Sequence, residues 1–253
     1  MSVTKKFTKA FVLAIMASLF CCETVCVFCE AEPAYAAKRK NKKKKASPPP
    51  KNQQSANVSH HSVGDIFTFG KYEQDNNQSN GKEDIEWVVL AKENNRILVI
   101  SKYVLDSQPY NNNGDKDWGN CSLRRWLNDT FMKSAFNTSE QSKIPTVKLE
   151  NRTMNVASGE EFLKSSTQDK IFLLSRDDVY KYFASDSERQ CKPTVYAKAK
   201  ELYVNDDGFP FWWLRNFAVR DDGYPEYSYF DVHDYDAYFK DPSGVRPVMW
   251  LNI

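Results

Sequence analysis

Residues 85–103 read IEWVVLAKENNRILVISKY and contain two apolar segments on either side of a short polar link. Ile85 to Ala91 and Arg96 to Tyr103 are rich in aliphatic and β-branched residues, which favour strands. The link at residues 92–95 is short and rich in asparagine, as is typical of a hairpin turn. This stretch therefore predicts a β-hairpin.

Further strands are predicted towards both ends of the chain. Residues 63–70 alternate between apolar and polar side chains and are bracketed by glycines, and residues 244–251 form an apolar closing segment. Helices are predicted between them, beginning at Ser122, over residues 139–144, after a capping-box pattern at Ser175, and over residues 194–203. Strands at both ends with helices between them predict an α+β fold whose first and last strands pair.

The remaining segments are assigned from composition and periodicity. Strands are predicted at residues 170–174 and 211–215, a hairpin at residues 224–232 and 235–239, and irregular structure at residues 106–120 and 150–169. Acids and amides alternate from Asp75 to Glu86 as in a calcium loop, but glycine stands seventh rather than sixth and strands flank the stretch. We interpret it as a polar loop between strands.

The charge of the chain is unevenly distributed. Residues 1–62 hold 11 Lys/Arg and 3 Asp/Glu, whereas residues 63–253 hold 24 Lys/Arg and 30 Asp/Glu, a net charge of −6. An acidic folded part argues against nucleic acid as its ligand. His233 is the one histidine after residue 61, so a mechanism that needs two imidazoles is excluded and a zinc site lacks ligands. A Ser-His-Asp catalytic triad through His233 is disfavoured, because the sequence has no Gly-x-Ser-x-Gly motif between a strand and a helix.

The N-terminal region is typical of exported proteins. In residues 1–36, a signal peptide is indicated by the lysines before residue 10, the apolar run to Phe20 and the small residues Ala34 and Ala36. An uncleaved anchor and lipidation at a cysteine of this region are the alternatives. Residues 37–62 follow as a basic, proline-containing, disordered linker before a single domain at residues 63–253. We therefore expect a secreted or cell-surface-associated protein.

Two interpretations of the linker stay open. Its lysines and prolines suit a solvated spacer that holds the domain away from a surface. They also suit a polycation that contacts anionic lipid or wall polymer, at about 1 kcal/mol for each basic residue near such a surface.

Several blocks of sequence resemble the bacterial family of unknown function numbered 6273 across residues 63–253. They are GDIFTFGKYEQDNN (64–77), ILVISKYVLD (97–106), CSLRRWLND (121–129), KIFLLS (170–175), CKPTVYAKAK (191–200), WWLRN (212–216) and GVRPVMWLN (244–252). The closing blocks are also similar to C-type-lectin-like folds, including relatives of the formylglycine-generating enzyme. The resemblance implies a C-type-lectin-like mixed sheet and no established activity. Family members often read Ser-Pro where this chain has Asn216-Phe217.

The cysteines, tryptophans and arginines of the domain are assigned structural roles. Cys121 and Cys191 suit either a disulfide or two buried free thiols. Core positions are predicted for Trp87, Trp126, Trp213 and Trp250. Arg215 and Arg246 stand beside apolar strand positions and need acidic or carbonyl partners. We prefer structural ion pairs for both arginines, with anion recognition as the alternative.

Residues 221–238 combine tyrosine with acidic and small residues, a composition typical of recognition surfaces. The candidate ligand-binding residues are Asp222, Tyr224, Tyr227, Tyr229, Asp231 and Tyr235. A weak calcium site is conceivable at Asp231, Asp234 and Asp236, and no other cofactor and no catalytic residue is predicted. An ordinary aromatic sheet edge is the alternative interpretation of this segment.

The sequence thus predicts an exported, non-catalytic binding module that recognises a glycan or a surface protein at the bacterial cell envelope. The alternatives are an enzyme related to lectin-fold maturases, with unassigned chemistry, and a structural envelope protein.

Overall fold

The computed structural model describes residues 61–112, 117–155, 158, 160–216, 218–219, 225–226 and 242–253. These residues lie within one compact unit, Asn52–Ile253. The predicted signal peptide and almost all of the predicted linker lie outside the described residues, as does the predicted hairpin apart from the backbone of residues 225–226. No described helix is long and apolar enough to span a membrane.

The described chain is mixed α and β, with strands in the majority. The strands are β1 (Ile66–Tyr72), β2 (Glu83–Glu93), β3 (Arg96–Ser101), β4 (Asp106–Pro109), β5 (Val147–Asn155), β6 (Glu161–Asp169), β7 (Ile171–Phe172), β8 (Ala218–Val219), β9 (Pro225–Glu226), β10 (Pro242–Val245) and β11 (Val248–Asn252). The helices are α1 (Ser122–Trp126), α2 (Met132–Ala135), α3 (Thr138–Lys143), α4 (Arg176–Tyr182), α5 (Asp186–Arg189) and α6 (Val195–Lys198), with a π-helical turn at Leu127–Phe131 between α1 and α2.

The central sheet has the order β1-β2-β3-β11-β7, and its neighbouring strands are antiparallel. The predicted hairpin is confirmed as β2–β3. The expected pairing of the first and last strands is wrong, because β2 and β3 lie between β1 and β11. The reason is that residues 97–101 of β3 are all buried, as is typical of a strand inside a sheet. Such a strand has a neighbour on each edge, and here β2 occupies one edge and β11 the other.

Two smaller sheets stand where irregular structure was predicted. β4 pairs with β10, and β5 forms a hairpin with β6 that β8 and β9 extend. The prediction of irregular structure at residues 106–120 is therefore wrong at β4, and the prediction at residues 150–169 is wrong over most of its length. β6 is polar and largely exposed, so it lacks the alternation that indicates a strand.

The helix starts agree with the sequence to within a residue. Cys121, rather than Ser122, caps α1, and its Sγ accepts a hydrogen bond from the Arg124 amide. The capping box at Ser175 is confirmed, because Ser175 and Asp178 exchange side-chain-to-backbone hydrogen bonds at 3.0 and 2.9 Å. The helix predicted over residues 194–203 is restricted to α6.

Two strand predictions in the last part of the chain need correction. Residues 211–215 form no strand, and their sheet contact is a single bridge between Trp212 and Gly244. The closing segment is two strands, because Arg246-Pro247 interrupts it and proline has no amide hydrogen to donate to a ladder. β10 and β11 consequently join different sheets.

Three of the four tryptophans predicted for the core lie in it, and the fourth packs against it. Trp87, Trp213 and Trp250 are buried, and Trp126 is half-buried against the core. The indole nitrogens of Trp87 and Trp213 donate to the Phe69 and Gln108 carbonyls, both at 2.7 Å, so these polar atoms are satisfied.

Candidate functional site

The six candidate ligand-binding residues lie outside the described residues, as do the aspartates of the weak calcium site. These positions are Asp222, Tyr224, Tyr227, Tyr229, Asp231, Tyr235, Asp234 and Asp236. What the structure describes is how the chain enters and leaves the segment that contains them. We call residues 217–241 the acidic tyrosine segment, because it holds five tyrosines and seven Asp/Glu against two Lys/Arg.

The described residues that flank the acidic tyrosine segment are joined by backbone hydrogen bonds. The Gly244 amide donates to the Phe211 carbonyl at 3.0 Å, and the Trp213 amide donates to the Gly244 carbonyl at 2.9 Å. The Ser243 hydroxyl adds a hydrogen bond to the same Phe211 carbonyl at 3.4 Å. The chain therefore leaves and re-enters the core at one place.

Glycine is required at this junction. A Cβ at position 244 would lie 2.5 Å from the Phe211 carbonyl oxygen and 2.9 Å from Val104 Cγ1. Such distances are shorter than any ordinary contact, so only glycine lets the two backbone segments approach each other this closely.

Within the acidic tyrosine segment, β8 and β9 are described. β8 pairs with residues Met154 and Asn155 at the end of β5, and β9 pairs with β8. This part of the segment therefore extends the sheet of the β5–β6 hairpin.

Arg215 lies just before the acidic tyrosine segment and has the structural ion pair that the sequence suggested. Its Nη1 donates to Asp178 Oδ2 at 2.6 Å and to the Leu173 carbonyl at 3.1 Å. Burial acts to raise the pKa of Asp178, but the charge of Arg215 and the hydrogen bonds from Arg215 and Ser175 outweigh it and lower this pKa. The pair fixes the start of α4 to the start of the segment.

The Asp178 carboxylate is expected to contribute about 2 kcal/mol to stability at neutral pH. Because its pKa is lower in the folded than in the unfolded chain, this contribution is present above about pH 4 and is lost as the pH falls through the folded-state pKa. Urea unfolding of wild type and Asp178→Asn should differ at pH 7 and converge towards pH 3. An unchanged difference between the two pH values would contradict the ion pair's role.

Arg246 has carbonyl partners rather than the carboxylate that we preferred. It is 4% exposed, and it donates through Nε to the Ser101 carbonyl at 2.8 Å and through Nη1 to the Arg189 carbonyl at 3.4 Å. Its guanidinium carbon lies 5.3 Å from the ring centroid of Trp212 and 5.6 Å from that of Phe183. No ion pair joins Arg246 to a carboxylate among the described residues. Burial lowers its pKa.

Two residues that contact Arg246 each have a buried side-chain donor without a hydrogen-bond partner. The donors are Nε1 of Trp212, a residue that is 1% exposed, and Nε of Arg189, which is 4% exposed. The Arg189 guanidinium reaches outwards to the exposed Asp186, at 2.5 Å, and its carbon lies 4.8 Å from the Tyr180 ring centroid. We call Arg189, Trp212 and Arg246 the arginine cluster. Of these residues, sequence reasoning singled out Arg246 alone as a buried charge, because the three lie 23 or more positions apart and only the fold brings them together.

A second buried cluster surrounds Asp106, which the sequence placed in a loop. Tyr72 Oη donates to its carboxylate at 2.5 Å, and Lys200 Nζ lies 2.9 Å from both oxygens. Burial and the Asp106 charge raise the pKa of Tyr72 far above its ordinary value. Burial acts to lower the pKa of Lys200, but hydrogen bonds to Tyr196 and Asp106 raise it. A protonated phenol and a charged ion pair therefore connect β1, β4 and the end of α6.

A third cluster is centred on Asp169 at the end of β6. Its carboxylate accepts from Arg124 Nε at 2.6 Å, from Trp118 Nε1 at 3.0 Å and from Thr167 Oγ1 at 2.7 Å. Asp169 is buried, so these three donors replace the water that it loses on folding. The contacts attach α1 to the β5–β6 hairpin.

The loop between β1 and β2 also gathers acids. Carboxylate oxygens of Glu73, Asp75 and Glu83 lie within 4.8 Å of one another, close enough to share a cation. These carboxylates already accept backbone amide hydrogen bonds, from Asn77 to Glu73 and Asp75 at 2.8 Å and from Gln74 to Glu83 at 2.7 Å. Their described contacts therefore hold the turn in place.

Both cysteines of the domain are buried free thiols in the structure. Burial raises the pKa of Cys121 to about 12, although the Arg124 amide and charge act to lower it. Burial also raises the pKa of Cys191, against the opposing charge of Arg246. Thiols of this kind are unreactive in the folded state.

We expect Cys121 and Cys191 to react with iodoacetamide at pH 8 on the order of 100-fold more slowly in the folded chain than in urea, because the thiolate is scarce and enclosed. Peptide mapping by mass spectrometry separates these two sites from the four cysteines of residues 1–36. Recovery of a Cys121–Cys191 cross-linked peptide from non-reduced protein would contradict the free-thiol state.

The described residues thus define a mixed α and β domain built on antiparallel sheets, with buried charges that hold its loops in place. A family model described as a domain of unknown function, DUF6273, matches residues 94–253, and the chain belongs to this family. The matched span begins in the turn between β2 and β3, so β1 and β2 precede it. Searches of curated proteins and of solved structures gave no match.

Proposed function

We propose that this protein is an exported, non-catalytic binding module with a C-type-lectin-like fold that recognises a glycan at a bacterial cell envelope through the acidic tyrosine segment. The observation that carries the proposal is the junction at Phe211 and Gly244. It joins the described residues on the two sides of a 25-residue segment by paired backbone hydrogen bonds. Binding residues commonly occupy long loops that a rigid scaffold positions.

The surroundings of the junction support this role. Trp213 Nε1 donates to the Gln108 carbonyl on β4, and Arg215 pairs with Asp178 on α4. The residues that precede the segment are therefore anchored to two different elements of the core. A scaffold of this kind lowers the conformational entropy that a binding loop loses when it engages a ligand.

The composition of the segment favours a sugar. Tyrosine rings offer flat apolar area at a low cost in side-chain entropy, and aspartates accept hydrogen bonds from hydroxyl groups. Of the candidate residues, Tyr227 and Tyr229 alternate with Ser228 and would share one face of an extended chain. The signal peptide at residues 1–36 and the basic linker at residues 37–62 complete the proposal by presenting the domain outside the cell.

A glycan array probed with the full chain tests this function. We expect binding to a subset of glycans, and we expect Tyr227→Ala and Tyr229→Ala each to weaken it about tenfold or more. Tyr180→Ala is the matched control, because Tyr180 is an exposed tyrosine of α4 outside the segment, and its described ring contacts are with Arg176 and Arg189 rather than with the junction. Repeating the array with EDTA tests the weak calcium site at Asp231, Asp234 and Asp236.

Each result of this screen bears on the proposal. Glycan binding that survives both tyrosine substitutions means that the segment is the wrong surface. An array on which the wild-type chain binds nothing rejects the glycan, and the surface protein becomes the candidate ligand.

A further inference from the structure

We propose that the arginine cluster is a binding site for a small oxyanion, such as a phosphate group or a carboxylate. Its three residues lie outside the acidic tyrosine segment, and the proposal does not depend on the function proposed for that segment. It rests on three features of Arg189, Trp212 and Arg246: a buried cation, unused buried donors and enclosing aromatic rings.

The first feature is an uncompensated charge. Arg246 is 4% exposed, and its described hydrogen bonds are to the Ser101 and Arg189 carbonyls. Arg215 differs in charge compensation, since it has the Asp178 carboxylate at 2.6 Å, although its Nε is also buried without a partner. A buried arginine without a carboxylate partner is costly to maintain, and an anion bound beside it removes that cost.

The second feature is a pair of unpartnered donors. Trp212 Nε1 and Arg189 Nε are buried and have no hydrogen-bond partner. A buried donor without an acceptor costs roughly 1–3 kcal/mol, and native proteins contain few of them. Both residues contact Arg246, Trp212 through its ring at 5.3 Å and Arg189 through its carbonyl at 3.4 Å.

The third feature is the enclosure. The rings of Trp212 and Phe183 both lie within 6 Å of the Arg246 guanidinium carbon. Apolar walls around a cation lower the local dielectric constant and strengthen its attraction for an anion. A guanidinium beside an indole that has a free N–H is suited to planar and tetrahedral oxyanions, because several of their oxygens can accept hydrogen bonds at once.

The test measures thermal unfolding of the full chain against rising concentrations of inorganic phosphate, sulfate and acetate. Sodium chloride keeps the ionic strength constant. We expect a saturable rise in Tm with at least one of these anions, as for any ligand that binds only the folded state. Isothermal titration calorimetry then gives the Kd.

Two conservative variants place the binding at the cluster. Trp212→Phe keeps an aromatic ring and removes an indole donor that has no partner in the unliganded protein, and Arg189→Lys keeps the charge and removes Nε. Each should weaken anion binding about tenfold. Arg152→Lys, at an exposed arginine paired with Glu150, is the control and should bind like the wild type. Calorimetry on all four proteins makes the comparison independent of their baseline stability.

The proposal is overturned by the absence of a saturable shift with all three anions. It is also overturned if the two cluster variants bind as tightly as the wild type, because the basic linker would then account for the binding.

Discussion

Asp106→Asn is expected to lower the free energy of unfolding by about 3 kcal/mol. The carboxylate is fully buried and is the shared acceptor for Tyr72 Oη and Lys200 Nζ. An asparagine side chain keeps the shape but has one acceptor oxygen and no charge. The phenol and the ammonium group would then compete for one oxygen in a place that water reaches poorly.

A matched control separates burial from charge in this experiment. Asp84 also pairs with a lysine, Lys71, but both side chains are about 60% exposed. Asp84→Asn should therefore change stability by less than about 1 kcal/mol. Urea unfolding at pH 7 measures both variants, and equal losses would contradict the structural role of the Asp106 cluster.

A double-mutant cycle gives a second check on the same cluster. The losses caused by Asp106→Asn and Lys200→Met should not add, because each variant removes the same ion pair. Full additivity would mean that the contact between Lys200 and Asp106 contributes nothing to stability.

Gly244→Ala is expected to cost about 3 kcal/mol and to abolish ligand binding by the acidic tyrosine segment. The new methyl group would meet the Phe211 carbonyl oxygen at 2.5 Å, so the backbone segments at the junction must separate. That movement breaks the hydrogen bonds that join the residues on the two sides of the segment.

Gly81→Ala is the control for this substitution. Gly81 has a positive φ of 90° but open space around its Cβ position, so an alanine there is strained by its backbone conformation alone, at about 1 kcal/mol. Urea unfolding midpoints should show a larger loss of stability for Gly244→Ala than for Gly81→Ala. Glycan-array signals should show a loss of binding for Gly244→Ala and unchanged binding for Gly81→Ala. Retained binding in Gly244→Ala would show that the junction does not position the segment.

The central sheet was predictable from the sequence where its strands are apolar. Residues 85–103 carry two apolar runs with a short turn, and local pairing of such runs follows directly. The capping box at Ser175 was predictable for the same reason, since its signal lies within four residues. The pairing of β3 with β11 was not predictable, because it joins residues about 150 positions apart.

The polar strands and the buried clusters were not predictable in the same way. β6 is mostly exposed and gives no hydrophobic alternation, so its residues look like a loop. Asp106, Asp169 and Arg189 are hydrophilic residues that the fold buries beside distant partners. Arg215 and Arg246 were recognised as needing partners, because a charged side chain beside apolar strand positions is conspicuous. Which partner each arginine takes depended on packing between segments far apart in sequence.

The most direct test of the proposed function removes the acidic tyrosine segment from its junction. Residues 220–240 are replaced with a Gly-Ser linker of equal length, and the variant is applied to the same glycan array after its urea midpoint is measured. We predict a cooperative unfolding transition close to that of the wild type, because the core clusters and the junction are retained, together with complete loss of glycan binding. A variant that folds and still binds the same glycans would contradict the account.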